Sequence, residues 1–258
     1  MREFFGFGGY TRPAEGFLSW QHLAFVSFLV VIMFTLAILM GLKSRSLEEQ
    51  KKNRVLIVSA LLIDGMELFK IVLFCVRQQD PMNWVYNLPL FLCSVQLIAL
   101  PLAAFSHGKL RETSLDFVLI FGLLGALCGT YGAGNNYSAY PVLSFDNVVS
   151  GLTHTIAGFA SLYVGITGLA RLKKQNIPAT FAILLGFCAA AFVANIFTNA
   201  NYMFLLRGDG TPYDIFYNLV GGSPILYPLV VIALFLVYII AFYQVYYLVQ
   251  RRHTAHNT

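Results

Sequence analysis

The stretch Asn87-Leu-Pro-Leu-Phe-Leu-Cys93-Ser-Val-Gln96 leads directly into Leu97-Ile-Ala-Leu-Pro-Leu-Ala-Ala-Phe105, and its reading decides the fold. It starts polar and carries a proline, a thiol and an amide that hydrocarbon alone would not select. A helical span needs roughly 20 predominantly apolar residues to cross ~30 Å of hydrocarbon. With this stretch counted, the chain has seven such segments, at about 18–42, 55–77, 86–106, 115–131, 147–170, 179–206 and 225–250. Without it there are six, and the basic loops no longer fall on one side.

Lys and Arg accumulate in cytoplasmic loops. Twelve of the 17 lie in the 43–54, 107–114 and 171–178 connections and in the tail, where Arg251 and Arg252 stand. Arg2, Arg12, Arg77 and Arg207 fall on the other side, and Lys70 lies within a span. The expectation is an all-α membrane protein: one seven-helix transmembrane domain over residues 1–258, N terminus outside and C terminus cytoplasmic.

Composition agrees. The 258 residues are 58% hydrophobic and only 11% charged, whereas soluble domains run near 25% charged. The formal charge of +5 belongs to short membrane-flanking loops, so it is no nucleic-acid signal. Arg2 and Glu3 open a Gly/Phe-rich lead, and no cleavable signal peptide is expected there. Cys75, Cys93, Cys128 and Cys188 lie in or at the ends of apolar segments without CxxC spacing, against zinc and redox motifs. A Cys75–Cys128 disulfide is open on sequence grounds. Neither metal nor cofactor is expected.

The expected topology gathers the polar residues into the outer half. Glu67 and Lys70 fall late in the second segment, and Asn87, Cys93 and Gln96 early in the third. Cys128 and Thr130 end the fourth. His154 lies early in the fifth, Asn195, Thr198, Asn199, Asn201 and Tyr202 late in the sixth, and Tyr227 at the start of the seventh. At ~1.5 Å per residue, Cys93 and His154 each lie about 10 Å into their spans. Polar groups at such depth face a bundle interior or a wet cavity. An outer polar pocket follows as an expectation.

Cysteine is a strong nucleophile, and a histidine in reach activates it. Cys93 with His154 therefore reads as nucleophile and general base for acyl transfer. The plain alternative is a buried cysteine acting as a small apolar residue beside a histidine bonded between helices. Glu67 and Lys70, three residues apart, form an internal ion pair, or Glu67 orients His154 or a headgroup. Asn199 and Asn201 are candidate oxyanion donors; Lys70, Asn87, Gln96, Asn195, Thr198, Tyr202 and Tyr227 are candidate pocket-lining residues. Gly122, Gly125, Gly129 and Gly132 point to close helix packing. His22, His107, His253 and His256 fall at ends or in loops and are expected to be solvated. Asn136-Tyr-Ser138 fits a glycosylation sequon. The seventh segment has no lysine for a retinal Schiff base.

Several of these pieces resemble the YwaF-type integral membrane proteins of bacteria, which are related to transmembrane protein 164 of animals. They are Glu67, Leu88-Pro-Leu-Phe-Leu-Cys93, Phe121-Gly-Leu-Leu-Gly-Ala-Leu127, Tyr140-Pro141, His154, Thr198-Asn-Ala-Asn-Tyr-Met-Phe204 and Tyr227-Pro228. Bacterial relatives typically read L-P-L-H-L-C, and Phe91 stands here for that histidine. The resemblance implies a cysteine-dependent phospholipid acyltransferase, Cys93 the nucleophile and His154 the base. Its partners would be membrane phospholipids or lysophospholipids, in a bacterial cytoplasmic membrane. A dyad near the outer face is out of easy reach of cytosolic acyl carriers, so a membrane lipid would be the donor. The rival class is a non-enzymatic transporter or lipid-binding protein using the same pocket. Transporters commonly show internal repeats, and none is evident. The oligomeric state is not legible.

Overall fold

The computed structural model describes residues 2–255, with side chains described through residue 250. The basic residues Arg251 and Arg252 and the tail histidines His253 and His256 thus lie outside the described side chains. Among the described residues every regular element is helical: α1 Trp20–Ser44, α2 Glu49–Gln78, α3 Gln96–Phe105, α4 Gly108–Tyr131, α5 Gly134–Ala139, α6 Phe145–Ile166, α7 Ile177–Thr198, α8 Tyr213–Leu219 and α9 Leu226–Ala255. Among the described residues five stretches are long and apolar enough to cross a membrane: α1, α4 with the short α5, α6, α7 and α9. The chain divides into two compact units, Met1–Arg171 and Leu172–Thr258.

The two remaining expected spans depart from a plain apolar helix for chemical reasons. The 30-residue α2 is about 45 Å long at ~1.5 Å per residue, but Asp64, Glu67 and Lys70 interrupt its apolar middle. The 86–106 segment is broken. A tight turn covers Asn83–Asn87, Leu88 is extended (φ −64°, ψ 146°), and the helix begins only at Gln96. Pro89 explains the break: it has no N–H to donate and forces the preceding residue out of the helical region. The ten residues of α3 span only about 15 Å. Between Asn87 and Gln96 the chain runs as extended backbone and turns, and its Cys93 and Ser94 line a cavity.

In the first unit α4 is the central helix, packed chiefly on α6 and then on α3, with α2 against α3 and α6 and α1 against α6. Small residues set these approaches. A Cβ built on Gly122 would meet Ser161 Cβ at 2.7 Å; one on Gly158 would meet Met33 Sδ at 2.3 Å and Ala126 Cβ at 2.7 Å. Ser161 Oγ closes the seam by donating to the Leu119 carbonyl at 2.8 Å.

Polar contacts gather the connections at two ends of this unit. At one, Lys52 Nζ donates to Thr167 O at 2.9 Å, Asn53 Nδ2 to Ala104 O at 2.8 Å, and Arg111 pairs with Glu49. At the other, the lead folds over the ends of α2 and α6. Arg77 grips Asp146 through two bonds of 2.8 and 3.0 Å, both side chains buried. Tyr10 also donates to Asp146, and the Val142 N–H donates to Glu15 at 2.7 Å. Phe5 and Phe7 pack on Leu73, Phe145 and Val149. His22, expected to be solvated, is fully buried. Its Nδ1 accepts from the Leu18 N–H at 3.1 Å and its Nε2 donates to the Thr130 carbonyl at 3.1 Å, because the lead turns back over the start of α1.

In the second unit the sixth expected span also ends early. α7 stops at Thr198, where Asn199 takes φ 55° and turns the chain. The amide-rich run that follows folds as a loop, with Met203 and Phe204 also at positive φ.

Candidate functional site

Cys93 owes its position to the break before α3. The Phe91 N–H donates to Ser94 Oγ at 3.0 Å, and the Val95 N–H donates to the Phe91 carbonyl at 2.9 Å. These bonds wind residues 91–95 into a turn that feeds α3. The thiol and His154 line the same cavity, close enough to interact.

His154 comes from α6. Its Nδ1 lies 2.6 Å from the Ser150 carbonyl one turn back. A carbonyl only accepts, so Nδ1 carries the hydrogen. Nε2 is then the nitrogen left to take a proton from Cys93. Sequence reading offered Glu67 for this orienting role; the carboxylate instead pairs with Lys70, Nζ to Oε1 at 2.6 Å.

The back wall is α4. A Cβ on Gly125 would come 3.0 Å from Cys93 Cα, and one on Gly129, a turn later, 2.1 Å from His154 Nε2. Two glycines four residues apart thus let the helix pass directly beneath both members of the pair. The front is an open cavity of about 70 Å³ lined by Glu67, Lys70, Cys93, Gln96, Thr153 and His154, with Ile63, Leu97 and Ala157 as its apolar walls. A single water needs only ~10–15 Å³ by this measure, so the space admits several waters or an ester group. Cys93 and His154 are both half-buried at its edge.

All the lining residues belong to the first unit. Asn87 is outside the lining and donates to Asn83 O at 3.2 Å within its own turn. The remaining candidates belong to the second unit. Asn195 clasps Tyr202 by accepting from its N–H at 2.6 Å and donating to its carbonyl at 3.1 Å. Asn201 donates to Arg207 O at 2.7 Å and Asp209 Oδ2 at 2.8 Å, so both its amide hydrogens are engaged. Thr198 Oγ1 donates to Ala194 O at 2.7 Å. Tyr227 is buried, its hydroxyl without a partner among the described residues.

Sequence reading did not single out Ser150 or Ser94. Ser150 acts through its carbonyl, which any residue possesses, so no side-chain signal could have marked it. Gly125 and Gly129 were legible as packing glycines, but not as the seats of Cys93 and His154. All four cysteines carry free thiols. Among the described residues no three His, Cys, Asp or Glu side chains converge as a metal site.

Neither a curated protein nor a solved structure matches the chain. A family model does, over residues 17–246, from the end of the lead into α9. With its several apolar helices, the chain is a multi-pass membrane protein and belongs to the TMEM164 family.

Proposed function

We propose that this protein is a cysteine-dependent phospholipid acyltransferase, a YwaF-type member of its family seated in a bacterial cytoplasmic membrane. The observation that carries the reading is that Cys93 and His154 meet at one cavity, over Gly125 and Gly129 of α4, with His154 Nδ1 held by the Ser150 carbonyl. That is the arrangement of an activated nucleophile: thiol, base, and a third group that fixes the base.

In the first half-reaction His154 Nε2 takes the Cys93 proton while Sγ adds to the ester carbonyl of a phospholipid. The tetrahedral intermediate collapses, the ester C–O bond breaks, and the lysolipid oxygen leaves with the proton from the imidazolium. An acyl-thioester remains on Cys93. In the second half, a lysolipid hydroxyl gives its proton to His154 and attacks the thioester, and the thiolate leaves and is reprotonated. Water in place of the lysolipid gives hydrolysis. The chain crosses the membrane seven times, with its N terminus outside and the cavity toward the outer face. Membrane phospholipids and lysophospholipids are its substrates.

The test is the intact mass of purified protein after incubation with mixed phospholipid vesicles. A hydroxylamine-labile acyl adduct is expected on wild type and absent from Cys93→Ser and His154→Ala. A folded wild type that gains no adduct and leaves the lipids unchanged would overturn acyl transfer and favour ligand binding or transport at the same cavity.

A further inference from the structure

We infer that Gln96 is a further catalytic residue, its side-chain amide donating to the oxyanion that forms when Cys93 attacks the ester. The inference rests on the acyl-transfer reading. Gln96 lines the cavity and is 2% exposed, yet neither Nε2 nor Oε1 finds a hydrogen-bond partner among the described residues. Burying both ends of an amide unpaired is costly, and such a group in a native fold calls for an explanation. A substrate that supplies the missing acceptor provides one.

The placement fits. Leu97 N donates to Ser94 O at 3.0 Å and Ile98 N to Val95 O at 2.9 Å, so the turn bearing Cys93 runs unbroken into the helix bearing Gln96. Residues three apart on such a turn share a face, with Cβ atoms about 5–6 Å apart. An oxygen on the carbon bonded to Cys93 Sγ would form on that face.

Most other donors around the cavity are engaged. Lys70 is paired with Glu67. Ser94 Oγ donates to Phe91 O, Thr153 Oγ1 to Ser150 O, and His154 Nδ1 to the same carbonyl. The Ser150 hydroxyl remains, but it sits on the helix of the base rather than of the nucleophile. As Sγ bonds to the ester carbon, the carbonyl pair moves onto oxygen and the thiol proton passes to His154 Nε2. The Gln96 amide holds the resulting anion until the ester C–O bond breaks.

The experiment uses the full chain in phosphatidylethanolamine/phosphatidylglycerol vesicles, comparing wild type with Gln96→Met, Gln96→Leu and Ser150→Ala. Two rates are measured: formation of the hydroxylamine-labile adduct on Cys93, and alkylation of Cys93 by iodoacetamide. Alkylation passes through no oxyanion and so reports only the thiolate and the fold. Losing an oxyanion donor typically costs about 100-fold or more in rate. The expected result is a loss of that size in acylation for a Gln96 variant whose alkylation stays near wild type. Three results would overturn it: acylation near wild type in the Gln96 variants, loss of both rates in both of them, or loss that follows Ser150→Ala instead. A wild type that forms no adduct removes the acyl-transfer reading itself, and the role of Gln96 with it.

Discussion

Gly129 lies so close beneath the imidazole of His154 that a Cβ on it would come within 2.0 Å of Cδ2 and 2.1 Å of Nε2. No real Cβ tolerates that approach, so a side chain there must displace the ring. Gly129→Ala is therefore expected to move Nε2 off Cys93 and to lower acyl-adduct formation at least about 100-fold, the scale set by loss of a general base. Gly125→Ala would meet the Cys93 Cα at 3.0 Å and should act more weakly, since a small shift of the turn relieves it. Adduct formation rates of the two variants test the order. If Gly129→Ala acylates like wild type, His154 is not held where the reaction needs it.

The Glu67–Lys70 pair lies in the cavity wall with side chains only 14% and 16% exposed. Removing one member of such a pair leaves a largely buried charge uncompensated, a loss of about 3–5 kcal/mol, while removing both is far milder. Lys70→Met and Glu67→Gln should each lower the thermal midpoint in detergent more than the double variant does. Additive losses would mean that the two charges stabilise the protein independently.

Much of this is legible in the sequence, and the failures have physical causes. The apolar runs of α1, α4, α6, α7 and α9 are visible in composition, because lipid imposes one rule along a whole helix. The 86–106 segment reads in sequence as one span, and its break into a turn and the short α3 is not legible there. Pro89 blocks helix only locally, and deciding between a kink and an unwound turn needs the partner surfaces, here Gly125 and the cavity. Cys93 and His154 could be paired in depth from segment starts alone. Whether they meet depends on helix rotation, and two glycines on a third helix let them approach. His22 was misread because position near a helix end suggests solvent, whereas residues of the lead and α4 bury it. Asn201 looks like a free donor in sequence because an amide-rich run carries no sign of how many of its amides hold their own loop together, as those of Asn195 and Asn201 do.

The lead is tied to the rest of its unit chiefly through Asp146, which accepts from Arg77 and from Tyr10. Asp146→Asn keeps the shape but removes the negative charge, leaving the buried Arg77 guanidinium uncompensated. Limited proteolysis at the Gly8-Gly9 pair should then run much faster than in wild type. Cleavage at an unchanged rate would mean that Phe5 and Phe7, packed on Leu73, Phe145 and Val149, hold the lead without the ion pair.

Tyr10 supplies a pH signature for the same contact. Burial first, and then its bond to Asp146, push the phenol up to about 12, against an ordinary value of about 10. A group whose folded value is raised stabilises fully below its unfolded value and loses that contribution as pH climbs through the folded one. The tie from Tyr10 to Asp146 should therefore be intact below pH ~10 and fail between about 10 and 12. Tyrosinate absorbance of wild type minus Tyr10→Phe isolates this one phenol. A difference curve with its midpoint near 12 is expected. A midpoint near 10 would mean that Tyr10 stands in water and that the lead is not docked on Asp146.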